Sequence, residues 1–233
     1  MKKPLISRFE ADRAIYVDFE KPGTPDALPS VLGVLYAPDP ESHPGAIVFE
    51  QWVVDPRLWP IAGSLVPGAP KESRCVAADL DVIADDLVRL AEDEDRLLVS
   101  WSSHDLTLFL KDVSEPHLRA AIETRHRDAK LTARRWRNKH HRDAVPPKVA
   151  FGGAHKLSFY MELVGFAVPP RYGQNVAAKG INAALGALLK SGGSTVGLST
   201  ATHRAWKATR GHNYYDCAGM WTVTRRAAAE LDG

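Results

Sequence analysis

The chain has 233 residues, 45% hydrophobic and 25% charged, which is enough apolar content for a buried core and excludes a chain disordered as a whole. A formal net charge of +2 by itself argues nothing about nucleic acid, and two cysteines, Cys75 and Cys217, are too few for a disulfide scaffold, so a reducing, cytoplasmic setting is expected. The opening MKKPLISRFEADR lacks the apolar run of a signal peptide, and no stretch of eighteen apolar residues exists, so no membrane association is expected.

Ala14 to Glu20 reads as a strand, with Ile15, Val17 and Phe19 on one face. Lys21 to Ser30 is rich in Pro and Gly and reads as a loop. Val31 to Tyr36 is a second strand, and Ala46 to Val54 a third after the turn PDPESHP. Their short connections suit an antiparallel meander, because a parallel pair needs a dozen or more residues between strands. Residues 56 to 76 hold four prolines and read as irregular. Leu80, Ile83, Leu87 and Leu90 recur at helical spacing and start a helix near Asp79.

Leu97 to Trp101 is a short apolar strand, and a β-helix-β passage favours a parallel crossover. A helix follows at Asp105 to Leu110, with Ser102 or Ser103 as its cap, and another at Glu115 to Thr124 with Pro116 in its first turn. ARRWRNKHHRD is helical or extended and breaks at Pro146-Pro147 and Gly152-Gly153. His155 to Leu163 and Val176 to Leu189 read as helices, the second ending at SGGST. The last helix runs from about Thr200 to Leu231, either unbroken or as two helices meeting near Arg210-Gly211. With no repeat or low-complexity tract, residues 1–233 are expected to form a single domain.

Four carboxylates, Asp18, Glu20, Asp105 and Asp216, are the candidates to carry chemistry. Asp18 and Glu20 are two apart on a strand, so they point to the same face. A DxE alone also describes the wet face of an edge strand. Asp105 follows a strand and opens a helix, where it either binds a metal or favours the helix N-terminus. His212 and Asp216 are four apart and share a helix face, which permits a metal-binding aspartate beside a proton-accepting histidine. Brought together, such groups would hold divalent ions, and two metals about 3.5–4 Å apart are a standard device for phosphodiester hydrolysis.

The order of these motifs resembles the DEDD superfamily of 3′–5′ exonucleases, on the ribonuclease H-like fold. VDFE looks like its first motif, SWSSHDLTLF like its second and HNYYD like its third. The similarity extends to a poorly characterised branch whose last motif reads Tyr-Asn-x-x-Asp before a long helix. Histidine stands here at the spacing that tyrosine takes in the family.

The resemblance implies an α/β fold with a mixed central sheet, three leading antiparallel strands plus parallel ones, and helices on both faces. It implies Asp18, Glu20, Asp105 and Asp216 as ligands of two Mg²⁺ or Mn²⁺ ions, with His212 orienting or deprotonating water. The activity it implies is a metal-dependent nuclease, a 3′–5′ exonuclease on DNA or RNA. The alternatives are a catalytically inactive nucleic-acid-binding domain and a structure-specific endonuclease on the same scaffold.

Charge is segregated along the chain. Residues 79 to 95 are acidic, through Asp79, Asp81, Asp85, Asp86, Glu92, Asp93, Glu94 and Asp95. Residues 125 to 148 hold nine Lys and Arg against two Asp. Within this basic segment Arg134, Arg135, Arg137 and Lys139 would contact phosphates, and Trp136 would stack on an unpaired base or face the core. Single-stranded nucleic acid, or a 3′ end, is the expected partner.

Overall fold

A computed structural model describes residues 4–24, 27–43, 45–63, 66–70, 73–146, 155–173 and 175–233, without the side chains of His104, Asp105 and Leu108. Six strands form one sheet: β1 (Ile15–Glu20), β2 (Val31–Tyr36), β3 (Val48–Val53), β4 (Arg74–Ala77), β5 (Leu98–Ser100) and β6 (His126–Asp128). Their order across the sheet is β4-β3-β2-β1-β5-β6. The leading meander β1-β2-β3 is antiparallel, whereas β4, β5 and β6 each join by parallel pairing. This mixed topology, with helices on both faces, resembles the ribonuclease H-like fold.

Alternation along β1 divides the interior in two. Tyr16 faces a core shared with Val99, Trp136, Tyr160, Cys217 and Met220. Ile15 and Val17 face the opposite core with Leu32, Ile83, Leu87, Leu98 and Phe109. The first core is covered by α1 (Arg8–Arg13), α5 (Ala129–His140), α6 (Leu157–Leu163) and α8 (Thr200–Asp232). The second is covered by α2 (Leu80–Asp93), α3 (Ser103–Asp112) and α4 (Pro116–Arg125). A third cluster, including Val31, Leu58, Ile181 and Trp206, packs α7 (Val176–Lys190) against α8 and the end of the meander.

Three elements depart from the sequence expectation. The proline-rich stretch 56–76 contains β4 at its end, an exposed four-residue strand whose apolar pattern is too short to register. His126–Asp128 is a strand at the sheet edge between helices, and its three polar residues show no apolar pattern although His126 and Asp128 are buried. Its Asp128 is buried, which raises the carboxyl pKa against the lowering effect of Lys130 and of the Ser103, Leu131 and Lys130 backbone N–H groups. Asp128 therefore ties strand ends to helix starts. Residues 8–13 form α1, opened by a reciprocal Ser7–Glu10 capping box. The proposed breaks at Pro147 and Gly152-Gly153 lie outside the described residues, as does Lys148.

The last helix is unbroken from Thr200 to Asp232. Gly211 does not interrupt it, because the glycine serves packing: a Cβ there would stand 2.5 Å from the Tyr172 ring. No described helix is long and apolar enough to cross a membrane. Replacing Gly211 with alanine adds about 1 kcal/mol of helix propensity but overpacks Tyr172, at a cost of about 1–3 kcal/mol. Urea denaturation of Gly211→Ala is therefore expected to show a net loss of stability, and a gain would contradict this packing.

Candidate functional site

Asp18 and Glu20 lie on the face of β1 that meets α8. From that helix come His212, Asn213 and Asp216, all within about one turn. The ligand atoms of Glu20, His212 and Asp216 lie within 4.8 Å of one another. Nε2 of His212 is 3.5 Å from Glu20 Oε1 and 3.6 Å from Asp216 Oδ2. Side-chain exposure is 16% for His212, 13% for Glu20 and 27% for Asp216, so the group is partly shielded from water yet reachable.

Tyr172 fixes the histidine. The Nδ1 of His212 is 2.7 Å from the Tyr172 carbonyl oxygen, which can only accept, so Nδ1 carries the proton and donates it. In the neutral ring this leaves the Nε2 lone pair towards the two carboxylates. An imidazole oriented by a backbone carbonyl is the usual arrangement of a metal-ligating or proton-accepting histidine.

Donors bound to one ion at about 2.0–2.2 Å stand roughly 3–3.5 Å apart, and the spacings around His212 Nε2 are close to this. Two carboxylates and an imidazole can chelate a divalent cation. Their negative field reaches the buried Cys217, whose thiol pKa is pushed well up, first by burial and then by Asp18, Asp216 and Glu20.

Asp18 is held separately. The side-chain amide of Asn213 donates to the Asp18 carboxylate at 2.9 Å and to its backbone carbonyl at 3.0 Å. This contact depends on Gly33, which pairs with Asp18 across β1 and β2. A Cβ at Gly33 would lie 2.4 Å from Asn213 Oδ1 and 2.9 Å from Cys217 Sγ. Asn213 stands inside the HNYYD motif, but the sequence assigned it no role, because its partners come from other strands.

A cleft of about 800 Å³ opens over the cluster, lined by Asp18, His212 and Asp216. Trp101, Leu157, Met161 and Phe166 give it apolar lining as well, and Lys156 also lines it. That lining was not foreseen, since the sequence reads His155 to Leu163 as a helix and gives it no place in the site. Asp105 lies in α3 after β5, but its side chain falls outside the described residues.

The basic helix α5 keeps Arg134, Arg135 and Lys139 exposed and Arg137 half-buried. Trp136 is not on that surface. It is 1% exposed, and its indole N–H donates to Glu230 Oε2 at 2.6 Å. The reason is helical spacing: Trp136 follows Ala129, Thr132 and Ala133 on the buried stripe of α5. Of the two places open to it, stacking on a base is thus overturned and the core is occupied.

Comparison with protein-family models, with curated proteins and with solved structures found no match. The likeness to ribonuclease H-like proteins therefore rests on topology and on this cluster. Ion binding stabilises a folded chain by about 2.7 kcal/mol at a hundred times Kd, or roughly 5–10 °C in Tm for a chain of this size. Mn²⁺ is expected to raise the Tm of the wild type by this order and to lose most of that effect in Glu20→Gln and Asp216→Asn. Equal shifts in all three proteins would count against the cluster as the ion site.

Proposed function

We propose that this chain is a metal-dependent nuclease that removes nucleotides from the 3′ end of single-stranded DNA or RNA, as members of the DEDD superfamily do. The observation that carries the reading is the meeting of Glu20, His212 and Asp216 beside Asp18 at the mouth of one cleft. Motifs from the first strand and the last helix come together there, in the order that the resemblance implies.

Asp18, Glu20 and Asp216, with Asp105, would hold two Mg²⁺ or Mn²⁺ ions. Bound ions would supply charge stabilisation for the attacking and leaving oxygens of a phosphodiester. His212 takes the proton of the attacking water at Nε2, since Nδ1 is committed to the Tyr172 carbonyl. The imidazolium so formed is stabilised by Glu20 and Asp216, at 3.5 and 3.6 Å. The apolar lining at Trp101 and Phe166 receives the terminal base, and Lys156 faces a phosphate.

The upstream strand runs over α5. Arg137 and Arg134 are near enough to Tyr160 to lower its pKa against the larger upward effect of burial. Tyr160 in turn packs on Trp101, with ring centroids 5.2 Å apart, and Trp101 lines the cleft. The basic helix thus begins at the rim of the site, where Arg134, Arg135, Arg137 and Lys139 meet successive phosphates.

End-labelled single-stranded DNA and RNA, incubated with Mn²⁺ or Mg²⁺ and resolved by length, test the reading. A ladder of losses from the 3′ end is expected, abolished in Asp216→Asn and slowed about 10²–10⁴-fold in His212→Gln. Internal fragments would instead identify an endonuclease, and tight binding without cleavage an inactive binding domain. Binding should weaken with salt, and Arg134→Gln or Lys139→Gln should each reduce the slope of log K against log salt by about 1. Unchanged slopes would remove α5 from the interface.

A further inference from the structure

We infer that Arg210 is a positioning residue, which acts through Gln51 and Asn213 to fix the carboxylate of Asp18. The inference takes from the proposed function only the place of Asp18 in the site. Its basis is a directional line of buried hydrogen bonds.

Asp18, Gly33, Gln51 and Cys75 form a row of partners across β1, β2, β3 and β4. Asp18 and Gln51 are two strands apart, or roughly 9–10 Å, too far to touch. Gly33 between them leaves a gap, and Asn213 descends from α8 into it. Nε of Arg210 donates to Gln51 Oε1 at 2.9 Å. Nε2 of Gln51 donates to Asn213 Oδ1 at 2.8 Å and to the Arg210 carbonyl at 3.1 Å. Nδ2 of Asn213 donates to Asp18. Gln51 and Asn213 are wholly buried, and Arg210 is 4% exposed.

The two ends dictate the sense of the whole line. A carboxylate only accepts hydrogen bonds and a guanidinium only donates them. Asn213 must therefore present its NH₂ to Asp18 and its oxygen to Gln51. Gln51 must present its NH₂ to Asn213, and its oxygen is left for Arg210. Without the guanidinium the Gln51 oxygen loses its donor, and only the Arg210 backbone carbonyl is left at that end to hold the amide in this sense; a turned amide would set oxygen against oxygen at Asn213.

Arg210 is otherwise hard to account for. No carboxylate forms an ion pair with it among the described residues, and its Nη2 has no hydrogen-bond partner. Burial lowers its pKa from the usual value, opposed by the nearby Cys75. A buried cation without a carboxylate partner is destabilising, and an apolar residue would pack there at lower cost. Holding the amide line gives the charge a reason.

The test uses the full chain with Arg210→Met, Gln51→Met and the double variant, each first shown to be folded by circular dichroism. In metal-free protein, ¹⁵N NMR follows hydrogen exchange of the Asn213 side-chain amide. Either single variant is expected to speed that exchange on the order of tenfold. Calorimetric titration with Mn²⁺ is expected to show about 10–100-fold weaker binding in either variant. The double variant should be no weaker than the worse single one, because both act along one line. If Arg210→Met does not fold, Gln51→Met carries both measurements.

Exchange as slow in the variants as in the wild type would overturn the inference. So would faster exchange with unchanged Mn²⁺ affinity, or additive losses in the double variant. A wild type that binds no Mn²⁺ while the variants lose amide protection would overturn the metal site and support the positioning line.

Discussion

The absence of a side chain at Gly33 is the constraint on which the rest of this structure depends. It lets α8 settle onto the middle of the sheet, with Asn213 and Cys217 against the β2 backbone. Asn213 then reaches Asp18 on one strand and Gln51 on another, so a single amide ties the helix to two strands. Any larger residue at position 33 would push α8 outward. Since α8 carries His212 and Asp216, the cluster with Glu20 would open with it.

The same contact explains how charges are kept near a core without being buried in it. Asp18 and Glu20 belong to the end of β1, where the strand leaves the hydrophobic layer, while Tyr16 on the same face remains fully buried. Asp216 and His212 sit where α8 passes that end. Below them, Cys217 and Met220 continue the helix into the core. Carboxylates this close repel one another in a poorly solvated setting, which favours a bound cation or a protonated partner. The raised Cys217 thiol registers that field from behind.

The segment that follows α6 does two things at once. The turn at Tyr172 presents a carbonyl that settles which nitrogen of His212 holds the proton. The Tyr172 ring closes on Gly211 and stacks on Tyr215 at 5.3 Å. Histidine orientation is thus coupled to aromatic packing against α8. The apolar lining, the basic helix and the acidic cluster are then arranged around one opening, a layout that suits a polyanion carrying planar bases.

Much of this was legible in the amino-acid sequence. The meander followed from three apolar runs with short turns, α2 from its leucine spacing, and the shared face of Asp18 and Glu20 from strand alternation. The one-turn pairing of His212 with Asp216 followed from helical periodicity. Each of these depends on residues close together in the chain, where local geometry alone decides which way side chains point. Other features required the folded chain. β4 and β6 are too short to show a pattern and exist because a neighbouring strand offers hydrogen bonds. Trp136 sits in a basic stretch but turns inward, since α5 packs on α8 through that stripe. Gly33, Gln51, Asn213 and Arg210 are scattered over three segments, and nothing local to any of them announces a common purpose. Only tertiary packing decides such a set, because a buried hydrogen bond is specified by both partners, and the sequence shows them one at a time.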